Sequence, residues 1–182
     1  MLENISASIT EPLTLSALKQ HLRIEHNDDD QYLTILAKSA REQAEAYISG
    51  PIPVQTYRLT FDFFPLCIEL EKTPLIAVSS IAYVDVNGVT QALADYDVFK
   101  NDFKAEIYPV YGESFPDTES GRNKVTVTFT AGYEVVPDSM IHALKLLAGS
   151  LYEQREDHAP GSYSEAAWSS KALLNTFKKV TA

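Results

Sequence analysis

The stretch from Thr130 to Glu156 constrains the fold of this chain most. It reads Thr-Ala-Gly-Tyr-Glu-Val-Val-Pro and then runs on to Leu151-Tyr152-Glu153-Gln154-Arg155-Glu156. Val125, Val127 and Phe129 alternate just ahead of it, which predicts a strand over Lys124 to Thr130. Gly132 can take a positive φ at the end of that strand. Pro137 is preformed for a first helical turn, and Met140, Leu144, Leu147 and Leu151 then recur at helical spacing to about Arg155. A strand delivered straight into a helix commits the chain to a mixed α and β fold.

The rest of the chain divides the same way. Thr14 is placed to cap a short helix through about Leu22, with Leu15, Leu18 and Leu22 on one face. Residues 1–13 read as an irregular lead-in. A long helix is expected from about Asp29 to Ile48, its buried stripe made by Leu33, Leu36, Ala37, Ala40, Ala44, Tyr47 and Ile48. Ser49-Gly50-Pro51 stops it, because Gly caps and Pro blocks continuation. Period-two patterning then predicts strands over Val54 to Asp62, Cys67 to Leu70, Ile76 to Asp85 and Val89 to Leu93, with weaker ones at Tyr96 to Lys100 and Glu106 to Val110. Asn87-Gly88 signals a hairpin with a type I′ turn. Gly112 to Asn123 is expected to be a polar, mobile loop. Ala159-Pro160-Gly161-Ser162 reads as a linker, and Ala166 to Lys178 as a last helix with Trp168, Ala172, Leu173 and Phe177 on its apolar side.

The fold class expected is therefore α+β: mainly a helical bundle, with two N-terminal and two C-terminal helices and a β-rich insertion between them. One domain is expected over residues 1–182. It is divided into N-terminal helices (14–50), β-rich insertion (51–136), core helix (137–156), and linker with C-terminal tail helix (157–182).

Composition removes several function classes. A formal net charge of −10 argues against a freestanding nucleic-acid binder, which needs basic surface to displace counterions. The end of the chain differs, since Lys171, Lys178 and Lys179 face only Glu165 there. A mildly basic tail on an acidic body suggests that the two meet different surfaces. The lone cysteine, Cys67, excludes an intramolecular disulfide and a cysteine zinc cluster, and reads as a small core hydrophobe. No apolar run is long enough to span a bilayer, and the N-terminus lacks the features of a signal peptide.

Catalytic constellations are not visible. Asp28-Asp29-Asp30 with Glu25 lacks the alternating ligands and glycine of a calcium loop, and acids there complement the start of a helix and cap its N–H groups. His21, His26, His142 and His158 form no metal-ligand spacing. Neither a nucleophile elbow nor a glycine-rich phosphate loop occurs. No catalytic, cofactor-binding or metal residues and no cofactor are expected. Tyr152, Glu153, Arg155 and Glu156 have two readings: local ion pairing on a solvated helix end, or a contact between subunits.

Three segments, taken in order, resemble the head–tail connector (adaptor) proteins of tailed phages. The first runs from Glu11-Pro12-Leu13-Thr14-Leu15 through Lys19-Gln20-His21-Leu22-Arg23 to Ala40-Arg41-Glu42, Glu45-Ala46-Tyr47 and Thr56-Tyr57. The second is Ser79-Ser80-Ile81-Ala82-Tyr83-Val84-Asp85 with Gly88 and Asp95-Tyr96; the third is Thr130-Ala131-Gly132-Tyr133 with Pro137 and the Tyr152 to Glu156 motif. The resemblance spans about residues 8–180. It implies a non-enzymatic virion protein that forms a homo-oligomeric ring, a dodecamer in the virion, beneath the portal. The ring would extend the DNA channel and offer a platform to the next connector, stopper or tail protein. DNA would be a passing occupant only, and no membrane partner is implied. The site implied is the head–tail junction of the virion, reached from the host cytoplasm during assembly.

By the same resemblance the C-terminal segment, with Trp168, Lys171, Leu173, Leu174, Phe177, Lys178 and Lys179, docks on the portal. The family's Leu-Leu followed by an aromatic and a basic residue appears here as Leu173-Leu174-Asn175-Thr176-Phe177-Lys178, and Gly161 to Ser170 is more polar than the resemblance leads one to expect. The alternative readings are a tail-completion or stopper protein, a monomeric binding module using the β region, and an enzyme with an unrecognised site at Asp28 to Asp30 or His21.

Overall fold

In the computed structural model, which describes residues 1–6, 9–154 and 166–179, the chain forms two compact units. One comprises Met1–Ile9 with Val54–Tyr133, and the other Thr10–Pro53 with Glu134–Ala182. The chain leaves the first unit, builds two helices in the second, and returns.

The helical unit holds α1 (Leu15–Leu22), α2 (Asp30–Ile48), α3 (Asp138–Glu153) and α4 (Ala166–Leu174), followed by a 3-10 turn at Asn175–Phe177. Thr14 caps α1 as expected, its hydroxyl accepting from the Ala17 N–H at 3.2 Å. Both N-terminal helices end on a left-handed residue that is not glycine. Arg23 (φ 57) ends α1 and Ser49 (φ 60) ends α2. Gly50 follows with an ordinary φ and donates its N–H to Glu45 O, so the capping glycine sits one residue beyond the left-handed position.

The stripe read along α2 is buried at Leu33, Leu36, Ala37, Ala40, Ala44 and Ile48, while Tyr47 is half-buried. Arg41 joins that stripe with only 3% of its side chain exposed. It bonds Glu11 through Nε at 2.9 Å and Glu45 through Nη1 at 2.6 Å, and Glu42 lies at 3.4 Å from Nη2. Burial by itself lowers the Arg41 pKa; the bond to Glu11 and the charges of Glu45 and Glu11 outweigh it and leave the pKa above its ordinary value. Glu45 accepts from the Ile52 N–H as well, at 2.9 Å. One guanidinium thus ties the segment entering α1 to α2 and to the chain leaving it.

The β unit holds β1 (Leu2–Asn4), β2 (Gln55–Phe61), β3 (Ile68–Glu69), β4 (Leu75–Val84), β5 (Thr90–Ala92), β6 (Asp97–Lys100), β7 (Ala105–Tyr108) and β8 (Val125–Ala131). Five strands form one antiparallel sheet in the order β1-β2-β8-β4-β5, and three form another in the order β3-β7-β6. β8 is central and buries every second residue. Val127 pairs with Leu59 on one side and Ile81 on the other. Ile68, Ala105 and Ile107 of the smaller sheet share a core with Leu59, Val127 and Phe129 of the larger. The Tyr57 and Phe129 rings stack at 5.7 Å.

The expected helical bundle with a β insertion is thereby corrected. Strands take 27% of the described residues against 32% for helices, and the sheet has a core of its own. The strands lie close to where the alternation put them. What local patterning missed is β1: residues before the first helix pair with β2, Leu2 opposite Leu59, so the β unit is built from two separated stretches. A three-residue strand carries no readable period; its pairing is decided 55 residues away.

The hairpin at Asn87-Gly88 exists, but only Gly88 has a positive φ (78). Gly88 N–H bonds Asp85 O and Asp85 N–H bonds Val89 O. Asp85 Oδ1 accepts from the Asn87 and Val89 N–H groups. The carboxylate organises a longer turn in place of the two-residue type I′ turn.

Replacing Arg41 with Met should lower stability by about 3 kcal/mol, at the low end for a severed buried pair because Glu11 keeps 30% exposure. Urea denaturation of the variant checks this; an unchanged midpoint would show that the cluster contributes nothing net.

Candidate interaction surfaces

Of the residues singled out for assembly, Tyr152 and Glu153 lie on α3, Trp168, Lys171, Leu173 and Leu174 on α4, and Phe177, Lys178 and Lys179 just beyond it. β8 ends at Ala131, and Gly132 takes φ 119 while donating its N–H to Pro74 O at 2.9 Å. That is the left-handed freedom expected of this glycine. Pro137 stands as the N-cap of α3, its carbonyl accepting from Ile141 N–H at 3.1 Å. Met140 and Leu144 are buried as the spacing predicts, while Leu147 and Leu151 are half-buried.

Tyr152 closes α3 against α2. Its hydroxyl donates to Asp29 Oδ2 at 2.6 Å, and its ring lies 6.2 Å from that of Tyr32. Asp29 occupies the N-cap position of α2 but makes no capping bond there. Asp30 binds Lys19 Nζ at 2.6 Å, and exposed Asp28 lies 3.7 Å from His26. The acidic run therefore joins α1 and α3 to the start of α2, where sequence reasoning gave it only a capping and dipole role. Glu153 is exposed, and Arg155 and Glu156 lie outside the described residues.

The C-terminal segment packs on α3 and α2. Leu174 is buried at 1% exposure, Leu173 and Phe177 are half-buried, and Lys171 and Lys178 are exposed. The backbone of α4 includes Trp168, whose side chain lies outside the described residues. Asn175 accepts from the Tyr47 hydroxyl at 2.6 Å, Lys178 Nζ sits 4.7 Å over the Tyr47 ring, and Lys179 N–H bonds Ile48 O at 3.1 Å. The segment thus satisfies a terminal carbonyl of α2 while presenting two lysines outward. Residues 166–179 contain three lysines and no acid.

His21 and His142 meet edge to face at 6.2 Å, and burial, with Lys145 and His142 nearby, holds His21 below its ordinary pKa. Among the described residues no group of three or more His, Cys, Asp or Glu is placed to hold a metal ion, and no helix is long and apolar enough to cross a membrane. Cys67 is half-buried rather than a core residue.

Residues 12–90, from the start of the helical unit to the β4–β5 turn, match the family of phage gp6-like head-tail connector proteins. Over that segment the chain is similar to the head–tail connector family. The resemblance read from the sequence, and the connector role it implied, agree with this match. A likeness in fold extends over the whole chain. The chain is similar to a chain in the neck of an empty gene transfer agent (GTA) particle computed with C6 symmetry, with a TM-score of 0.82 and 22% identity. A chain in the virion of a native gene transfer agent particle gives a TM-score of 0.80 and 23% identity. In both cases 100% of this connector-like chain and 97% of the other are covered. No curated protein matches it.

Changing Tyr152 to Phe should cost the connector about 1 kcal/mol, the value of one hydrogen bond to a half-exposed carboxylate. Chemical denaturation measures it, and an unchanged midpoint would mean that α2 and α3 do not depend on the Asp29 bond.

Proposed function

We propose that the chain is a structural virion protein that assembles as a homo-oligomeric ring at the head–tail junction. The ring sits beneath the portal, extends the DNA channel, and gives the next connector, stopper or tail protein a surface to dock on. The family match over residues 12–90 carries this reading. The likeness in fold to chains from particle necks computed with C6 and C12 symmetry is consistent with a ring, for which twelve copies is the number we propose. No catalytic step belongs to the role.

Physical features support it. A channel wall that passes DNA must not grip it, and a net charge of −10 opposes gripping. The C-terminal segment is the part we assign to the portal, through Trp168, Lys171, Leu173, Leu174, Phe177, Lys178 and Lys179. Its lysines are cationic in an otherwise acidic chain, which suits an acidic portal face. Tyr152 spends its hydroxyl within its own subunit, so a contact between subunits at this helix end would use Glu153, Arg155 and Glu156.

Pull-down with purified portal and, separately, with tail proteins tests the assignment. Binding to portal is expected, and reversal of Lys171, Lys178 and Lys179 to Glu should weaken it by about tenfold or more. Undiminished binding of the triple variant would remove the tail from the contact. Binding to tail proteins alone would replace the connector reading with tail completion.

A further inference from the structure

The β unit carries an apolar groove that its own fold leaves open. The loop after β2 presents Phe63 and Leu66 at 69% and 97% exposure. One exposed apolar side chain is ordinary, but two that line the same groove mark an interaction site. Phe63 and Leu66 line the groove together with Phe115, Pro116, Glu113 and Asp117.

The groove is fixed in place. The Phe64 ring stacks on Phe115 at 4.8 Å and contacts Tyr83 of β4 at 5.4 Å. Thr118 bridges to Asp85, and Glu119 N–H bonds Val84 O at 3.0 Å. Asp62 accepts from Asn123 N–H, and Lys124 pairs with Glu119 at 2.6 Å. The loop that the sequence suggested would be mobile is thus pinned at several points along β4 and β2. Exposed aromatic and leucine side chains on a pinned frame bind without a large ordering cost.

Charge selects the occupant. The charged side chains lining the groove are Glu113 and Asp117, both acids. An apolar groove with an acidic rim fits a segment that carries large apolar side chains flanked by Lys or Arg. Within this chain that chemistry occurs at residues 166–179, but Leu174 there is buried and Lys179 N–H is bonded to α2. We propose that the groove takes an apolar, cationic segment of a different protein. The role of that protein as the next component of the neck rests on the connector reading.

A short fluorescent peptide of alternating leucine and lysine, titrated into the full chain, tests this by anisotropy, with a leucine–glutamate peptide as control. Saturable binding of the lysine peptide is expected, weakened by about tenfold or more in Phe63→Ser, in Leu66→Ser and in the Glu113→Gln/Asp117→Gln double variant. These side chains lie on surface loops, so an unchanged circular dichroism spectrum and unfolding midpoint separate lost contact from lost fold. No saturable binding, equal binding of the glutamate peptide, or insensitivity to all three variants would overturn the proposal. A fall in solution mass of the chain alone on Leu66→Ser would also overturn it, by making the occupant a second copy. Peptide binding needs neither ring nor portal, so its failure is distinct from failure of the connector reading.

Discussion

The buried Arg41 guanidinium is the interaction on which the helical unit depends. Taking that charge out of water costs far more than a single surface pair returns, and the cost is met only when opposite charges are placed around it. Here the three acids come from different parts of the unit: Glu11 from the lead-in, Glu42 and Glu45 from α2 itself. Glu45 extends the network to the backbone at Ile52, where the chain turns away. The cluster therefore fixes the C-terminal half of α2 relative to the lead-in and to the chain leaving it. Asp29 and Asp30 do the same at the other end of α2, through Tyr152 and Lys19.

The β unit is built around a single strand. Its core is apolar, and β8 pairs on both sides while burying alternate side chains. Both units bury apolar cores, and the helical unit adds charge pairing around α2. On the proposed connector reading, such a division would let one unit carry assembly contacts through α3 and α4 while the other presents pinned loops to a second partner. The shared feature is that interaction surfaces sit on elements braced from behind.

Much of this was legible in the chain because periods of two and 3.6 are local. The strand into Gly132, the helix after Pro137 and the stripe of α2 stand within a residue or two of their expected places. What escaped was non-local or polar. β1 exists only because β2 is there to pair with it. Arg41 lies between Ala40 and Ala44 on the buried face, and Glu45 four residues on was the available hint; the third partner, Glu11, is distant in sequence. The run Phe63-Phe64-Pro65-Leu66 was visible as apolar, yet alternation cannot tell that Phe64 turns inward to Phe115 while Leu66 faces water. The balance of sheet to helix was misjudged for the same reason, since short strands look like an insertion until their pairing is known.

The central claim is that this chain is a ring-forming connector. Electron microscopy of the full chain mixed with purified portal tests it most directly. The account predicts a ring coaxial with the portal, with an open central channel continuous with the portal's. Portal particles without added density, alongside free monomers of the chain, would contradict it.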